Sequence, residues 1–273
     1  MLSSKRKWPN DRGVSLMETM LALFMTGIVA ASLFGVYINQ HKNWMIQEEI
    51  TDKQQNARAA IDELTRQIRM AGYDLPLGLN GIEAYNTDPD TIVIAYADAG
   101  CAAPVEEDMI QPSDDLDCDG HDISCFHEGQ WVYITDPDSG GGEFFEITQV
   151  QTASSHIQHN TMALSRSYPA GCIIKAIEQI KYYIDLSDST HPNLMMQLPG
   201  KEPQVYAENI EDMQFRFKMK NGMIVDVPAI PGEIREVLVG LVGRTAKEDP
   251  DFPNDPYRRT TFASSINVRN LDI

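Results

Sequence analysis

The sequence predicts an α+β protein in which one long N-terminal helix, membrane-spanning in its first half, packs on an antiparallel β-sheet head. Three observations predict it. Residues 19–40 contain no Lys, Arg, Asp or Glu, which is the composition of a bilayer span. No proline occurs between Pro9 and Pro76, so nothing in that stretch forces a helix to break. Beyond residue 72, short runs of β-branched and aromatic residues alternate with turn-rich loops, the pattern of half-buried strands.

The leader carries Lys5, Arg6, Lys7 and Arg12 against Asp11, and the positive-inside rule keeps such an end cytoplasmic, with the rest of the chain outside. A cleaved secretory signal also begins basic and then turns apolar. Here, however, the apolar segment runs to Ile38, and no small-x-small cleavage site follows it before His41, Lys42 and Asn43. The span therefore reads as a retained anchor. Within it Gly27, Ala31 and Gly35 recur every fourth residue. Such a stripe lets a second helix approach closely, although small residues are also common in membrane helices at large. Further on, Ala57, Ile61, Leu64, Ile68 and Ala71 fall at helical spacing with Asp62, Glu63, Arg66 and Arg69 around them, an amphipathic face suited to a head domain. Arg66 and Arg69 suit the negative end of the helix, and Gly72 is a left-handed stop. The whole predicted helix, residues 16–71, is about 80 Å long at 1.5 Å per residue.

One carboxylate stands at the start of the apolar stretch, in the run Gly13-Val14-Ser15-Leu16-Met17-Glu18. An acidic side chain at the centre of a membrane helix costs about 2.5–3.5 kcal/mol on insertion scales; near the interface, snorkelling makes it cheap. The block as a whole resembles the class III signal of type IV prepilins and pseudopilins. That resemblance implies cleavage after Gly13, N-methylation of Val14, and Glu18 as the fifth mature residue. The family most often begins with Phe, from which Val14 departs while staying apolar. It further implies that Glu18 pairs with the amino terminus of a neighbouring subunit during assembly. A buried ion pair of that kind sets register more than it adds stability.

The stretches 54–61 and 67–73, together with 205–217 and 258–270, are similar to PilW-type minor pilins and, more loosely, to GspJ-type pseudopilins of type II secretion. The resemblance covers both ends of the chain and leaves 75–191 to pattern alone. It implies a type IV pilin-like fold, divided into a leader 1–13, a transmembrane half-helix 14–40, an extracytoplasmic half-helix 41–72 and a β-rich head 73–273. It also implies a role in pilus assembly or initiation at or near the tip. The partners implied are other minor pilins, the major pilin, prepilin peptidase, the inner-membrane assembly platform and a tip adhesin. The location implied is the inner membrane, with the head periplasmic, and then the pilus. The alternatives are a GspJ-like pseudopilin and, in another class, a membrane-anchored calcium-dependent adhesive protein. The head is large for a pseudopilin.

Within the head, residues 91–96, 130–134, 144–150, 179–186, 213–219, 237–242 and 263–268 read as strands of one antiparallel sheet against the helix. The glycine-rich stretch 136–142 lacks the Lys-Ser/Thr ending and following helix of a phosphate loop, so it reads as a hairpin turn. Asp115-Leu116-Asp117-Cys118-Asp119-Gly120 has the D-x-D-x-D-G order of a calcium loop. On that reading Asp115, Asp117 and Asp119 are calcium ligands. Phe126 occupies the place of the usual bidentate Glu, so Asp122, Glu128 or Asp114 would have to complete the site.

The four cysteines, Cys101, Cys118, Cys125 and Cys172, lie beyond the exported segment, which favours disulfides. Three connectivities are open, and Cys118–Cys125 with Cys101–Cys172 is the arrangement that would pin the acidic loop and close the longer one. His121 and His127 interleave with the first pair in a spacing that matches no standard zinc site. His156 and His159 show no companion pattern and read as surface or loop residues.

No catalytic residues are expected: the chain has no G-x-S-x-G, H-E-x-x-H, Walker or dinucleotide motif. The formal charge is -18. Removal of the leader leaves 18 basic against 39 acidic residues. No nucleic-acid partner is expected of so acidic a chain, since it repels phosphate.

Overall fold

The computed structural model describes residues 13–76, 78–160, 163–249, 252 and 255–271. Of the expected leader, only Gly13 falls among them. The chain forms two compact units, Met1–Glu49 and Ile50–Ile273, and one helix, α1 (Leu16–Met70), runs through both.

In the first unit every described residue from Gly13 to Met45 is exposed. The exposed side chains include Leu21, Phe24, Ile28, Leu33, Phe34 and Tyr37. This is the one helix among the described residues long and apolar enough to cross a membrane, with a mean hydropathy of 2.1 in its most apolar window. Its few hydroxyls are absorbed by its own backbone: Thr26 Oγ1 donates to the Ala22 carbonyl at 2.7 Å and Ser32 Oγ to that of Ile28 at 2.9 Å. These two Ser and Thr hydroxyls are thereby paired within the helix itself.

Among the described residues, the second unit contains the rest of α1 and fourteen antiparallel strands in three sheets. The strands are β1 (Ile82–Tyr85), β2 (Thr91–Pro104), β3 (Leu116–Asp117), β4 (Trp131–Asp136), β5 (Gly141–Glu146), β6 (Gln149–Gln151) and β7 (His156–Gln158). They continue with β8 (Ile173–Asp185), β9 (Asn193–Gln197), β10 (Gln204–Glu208), β11 (Ile210–Met219), β12 (Ile224–Val225), β13 (Ile234–Arg244) and β14 (Arg259–Asn267). The largest sheet runs β1-β2-β8-β4-β5, with β9 also on β8 and β10 on β9; the second runs β12-β11-β13-β14, and the third β3-β7-β6. The single sheet expected from the sequence is therefore three. The long strands alternate buried and less buried residues, as in β13, where Val237, Val239 and Leu241 are buried. One face of each is thus committed to the core.

The helix docks through Ala57, Ala60, Leu64 and Ile68, all fully buried, against Ile92, Ile94, Tyr182, Met213, Phe215, Val239 and Leu241. Small residues let it come close: a Cβ on Gly243 of β13 would stand 3.6 Å from the Ala57 Cβ and 3.5 Å from the Lys53 Cγ. The buried stripe is turned slightly from the expected one. Ala60 is fully buried within it, and Ile61 is only partly buried. Arg66 does not serve the helix end but forks onto Glu63 at 2.8 and 3.0 Å. The helix ends where Gly72 turns left-handed (φ 82°) and its N–H passes to the Ala95 carbonyl of β2 at 2.9 Å.

A second core lies under the third sheet, built from Leu116, Phe126, Phe145, Ile147, Ile157, Tyr168 and Ile174. Phe126, at the position where a calcium loop carries its last ligand, belongs to this core. The stretch 136–142 is the β4–β5 turn expected for it: Asp136 Oδ1 accepts the N–H groups of Asp138 and Ser139, and Gly140 is left-handed.

Candidate functional site

Two places merit description, the start of α1 and the acidic loop. At the first, Ser15 begins the helix: its carbonyl accepts from the N–H groups of Glu18 (3.0 Å) and Thr19 (3.1 Å), and its Oγ accepts from Met17 N–H at 3.3 Å. Gly13 and Val14 form an exposed, non-helical lead-in directly before it, which is what a peptidase needs at a scissile bond. Glu18 lies three residues after Ser15, in the first turn and exposed, so its charge sits at the positive end of the helix dipole. Gly27, Ala31 and Gly35 are also exposed, and a Cβ at either glycine would meet nothing within 4 Å.

At the second place, backbone pairing does the positioning. β3 pairs β7 with Leu116 opposite Ile157 and Asp117 opposite His156. Leu116 and Ile157 are fully buried, and strand alternation then turns Asp117 and His156 to the other face. The ladder continues as Cys118 N–H donates to the Ser155 carbonyl at 2.9 Å, and Asp119 N–H donates to Asp117 Oδ1 at 2.9 Å. As a result, one donor atom each from Asp117, Asp119 and His156 lie within 4.8 Å of one another. Asp117 Oδ2 and His156 Nε2 are 3.4 Å apart.

The structure does not gather the three carboxylates of the calcium-loop motif. Asp115 Oδ2 accepts from Gln158 Nε2 at 2.8 Å, and His156 takes the third place in the group. Asp114 is spent on the N–H groups of Ile110 and Gln111, and Asp122 on that of Ser124. His156 thus has the companions that its sequence surroundings did not reveal, because they come from across a strand pair. His159 is no surface residue either: it is buried, 5.5 Å from the Phe145 ring centroid, with Nε2 2.9 Å from the Asp114 carbonyl. His121 pairs with Glu106 at 2.7 Å.

The cysteine pairing also differs from the arrangement that pins the loop at Cys118. Cys101 is bonded to Cys125, while Cys118 and Cys172 are free and buried. The reason lies in two strands. β2 slips register against β8 between Ala97 and Ala102, and this bulge carries Cys101 out to the loop. Cys118 is drawn inward by the β3–β7 ladder and is fully buried. Burial, reinforced by Asp117, Glu106 and Asp119, pushes the Cys118 thiol up to about 12. Burial also pushes Cys172 up, to about 11. Both are buried thiols, held apart from the Cys101–Cys125 bridge.

Set against known proteins, the chain matches no family model, no curated protein and no solved structure.

Proposed function

We propose that the chain is a membrane-anchored filament subunit of the type IV pilin kind, a PilW-like minor pilin that takes part in pilus assembly or initiation at or near the tip. The observation that carries this reading is the construction of α1. Its apolar half is exposed over its whole circumference and starts two residues after Val14, its first turn holds Glu18, and its other half is built into a β-rich head. An ordinary single-pass anchor accounts for the apolar length but has no use for the Gly13–Val14 junction or for an acidic residue in the first turn. In the proposed cycle, hydrolysis after Gly13 frees the Val14 amine, which then takes a methyl group from a methyl donor in a separate step and stays cationic. Glu18 of an adjacent subunit receives that amine as the subunits come into register.

Intact-mass analysis of membrane extracts tests the reading. A chain beginning at methylated Val14 is the expected result, and a mature chain that keeps residues 1–13 in a peptidase-competent cell overturns it. Glu18→Ala is expected to insert normally yet assemble poorly. Normal piliation in that variant removes the registration role while leaving the processing intact.

A further inference from the structure

We propose that Asp117, Asp119 and His156 bind one divalent transition cation, with zinc as the reference ion. The proposal concerns the head alone and does not rest on the filament reading. Three donor atoms within 4.8 Å of one another fit around a single ion whose bonds are about 2.0–2.2 Å long. The 3.4 Å between His156 Nε2 and Asp117 Oδ2 is long for an N–H···O hydrogen bond. It is the spacing of two ligands on one tetrahedral centre, about 3.4 Å for bonds of about 2.1 Å.

Electrostatics points the same way. Two carboxylates converge here, and among the described residues neither forms an ion pair with a Lys or Arg. A cation between them removes the repulsion. Nor is the arrangement an accident of mobile side chains. The register Asp117↔His156 is locked by the fully buried pair Leu116 and Ile157 directly beside it, and the Asp117 side chain is only 14% exposed. Two ligands are therefore held before an ion arrives, which lowers the ordering cost of binding.

The ligand set also decides between ion classes. Calcium and magnesium take oxygen ligands, six or more for calcium, and this group offers two carboxylates and one imidazole nitrogen. Imidazole with carboxylate suits zinc and its first-row neighbours. Water fills the open position. Bound there, the ion ties β3, β7 and the start of the loop that ends at the Cys101–Cys125 bridge, giving that loop a second staple.

The test uses the full chain in detergent micelles, stripped of metal and titrated calorimetrically with zinc chloride. One ion per chain is expected, with affinity reduced at least about tenfold in His156→Ala and in Asp117→Asn, and no displacement by equimolar calcium. Absence of binding, an unchanged affinity in His156→Ala, or displacement by equimolar calcium overturns the proposal. A second measurement avoids variants altogether: one equivalent of zinc should protect His156 from diethyl pyrocarbonate, read by peptide mass mapping. His191, with a side chain 64% exposed, should react as before. Equal modification of His156 with and without zinc also overturns it.

Discussion

Glu63 shows how one side chain couples the helix to the head. Its carboxylate accepts from Arg66, from Gln67 Nε2 at 2.8 Å and from the buried Tyr182 hydroxyl at 3.1 Å. Burial raises its pKa, but the hydrogen bonds from Arg66, Gln67 and Tyr182 together outweigh burial and hold the group below its usual value. An acid with a depressed folded pKa contributes stability above its unfolded value, about 4.3. It loses that contribution as pH falls through the folded value. Glu63→Ala should therefore cost about 1–3 kcal/mol at pH 7 and show a shallower loss of stability below about pH 4.3, read as thermal midpoints of the micellar protein across that window. Gly72 gives a second prediction at this scale. A Cβ there would lie 2.5 Å from Leu271 Cδ2 and 2.8 Å from the Asn270 carbonyl oxygen, on a backbone already at φ 82°. Gly72→Ala should destabilise the head by about 1–3 kcal/mol. Gly27→Ala, with open space around it, should leave the unfolding midpoint unchanged.

The helix was the most legible element, because a signal summed over fifty residues survives local irregularity. Its expected end at Ala71 and the stop at Gly72 match the observed Leu16–Met70 and the left-handed glycine to within a residue. Its buried face was legible to about one position: periodicity put Ile61 on the apolar face with Ala57, Leu64, Ile68 and Ala71, whereas Ala60 is the fully buried residue and Ile61 is only partly buried. Leu64→Ala should accordingly cost about 2–5 kcal/mol, and Ile61→Ala clearly less, in chemical denaturation of the same preparation. Parity of the two would mean that the helix packs in the register read from sequence. The strands β2, β4, β8, β11, β13 and β14 overlap runs visible in the sequence, β2 and β8 extending well beyond them, while the run 144–150 is divided between β5 and β6. β3, β7 and β12, at two or three residues each, are too short to show a period of two. The third sheet was illegible for that reason, and with it the contact between Asp117 and His156. The D-x-D-x-D-G order did not show which side chains come together, because Gln158 of β7 claims Asp115 and His156 arrives from across a strand pair.

At the scale of the whole molecule, the chemistry divides along the chain: an exposed helix without Lys, Arg, Asp or Glu over residues 19–40 at one end, and at the other an acidic head whose second core is closed by a single disulfide. Cysteine spacing cannot choose among three connectivities, and here the choice was made by the β2 bulge and the β3–β7 ladder, both long-range features. The bridge spans a sequence separation of 24, for which chain entropy alone gives about 3–4 kcal/mol. Cys101→Ser should lose about that much, whereas Cys118→Ala should lose only the packing of one small buried side chain. Non-reducing peptide mapping should recover Cys101 joined to Cys125. Cys118 and Cys172 should resist alkylation until the protein unfolds, because neither has a reachable sulfur. Recovery of Cys118 in a disulfide would reverse this assignment. On the proposed function the same bridge would serve as a marker of orientation, since a disulfide persists on the oxidising side of a membrane and not in the cytosol. If the basic leader directs the head outward, replacing Lys5, Arg6, Lys7 and Arg12 by neutral residues should lower the exported fraction. The fraction of chains with Cys101 bonded to Cys125 should fall in step. An oxidised fraction that stays constant while export falls would separate the bridge from the compartment and remove its value as a marker of topology.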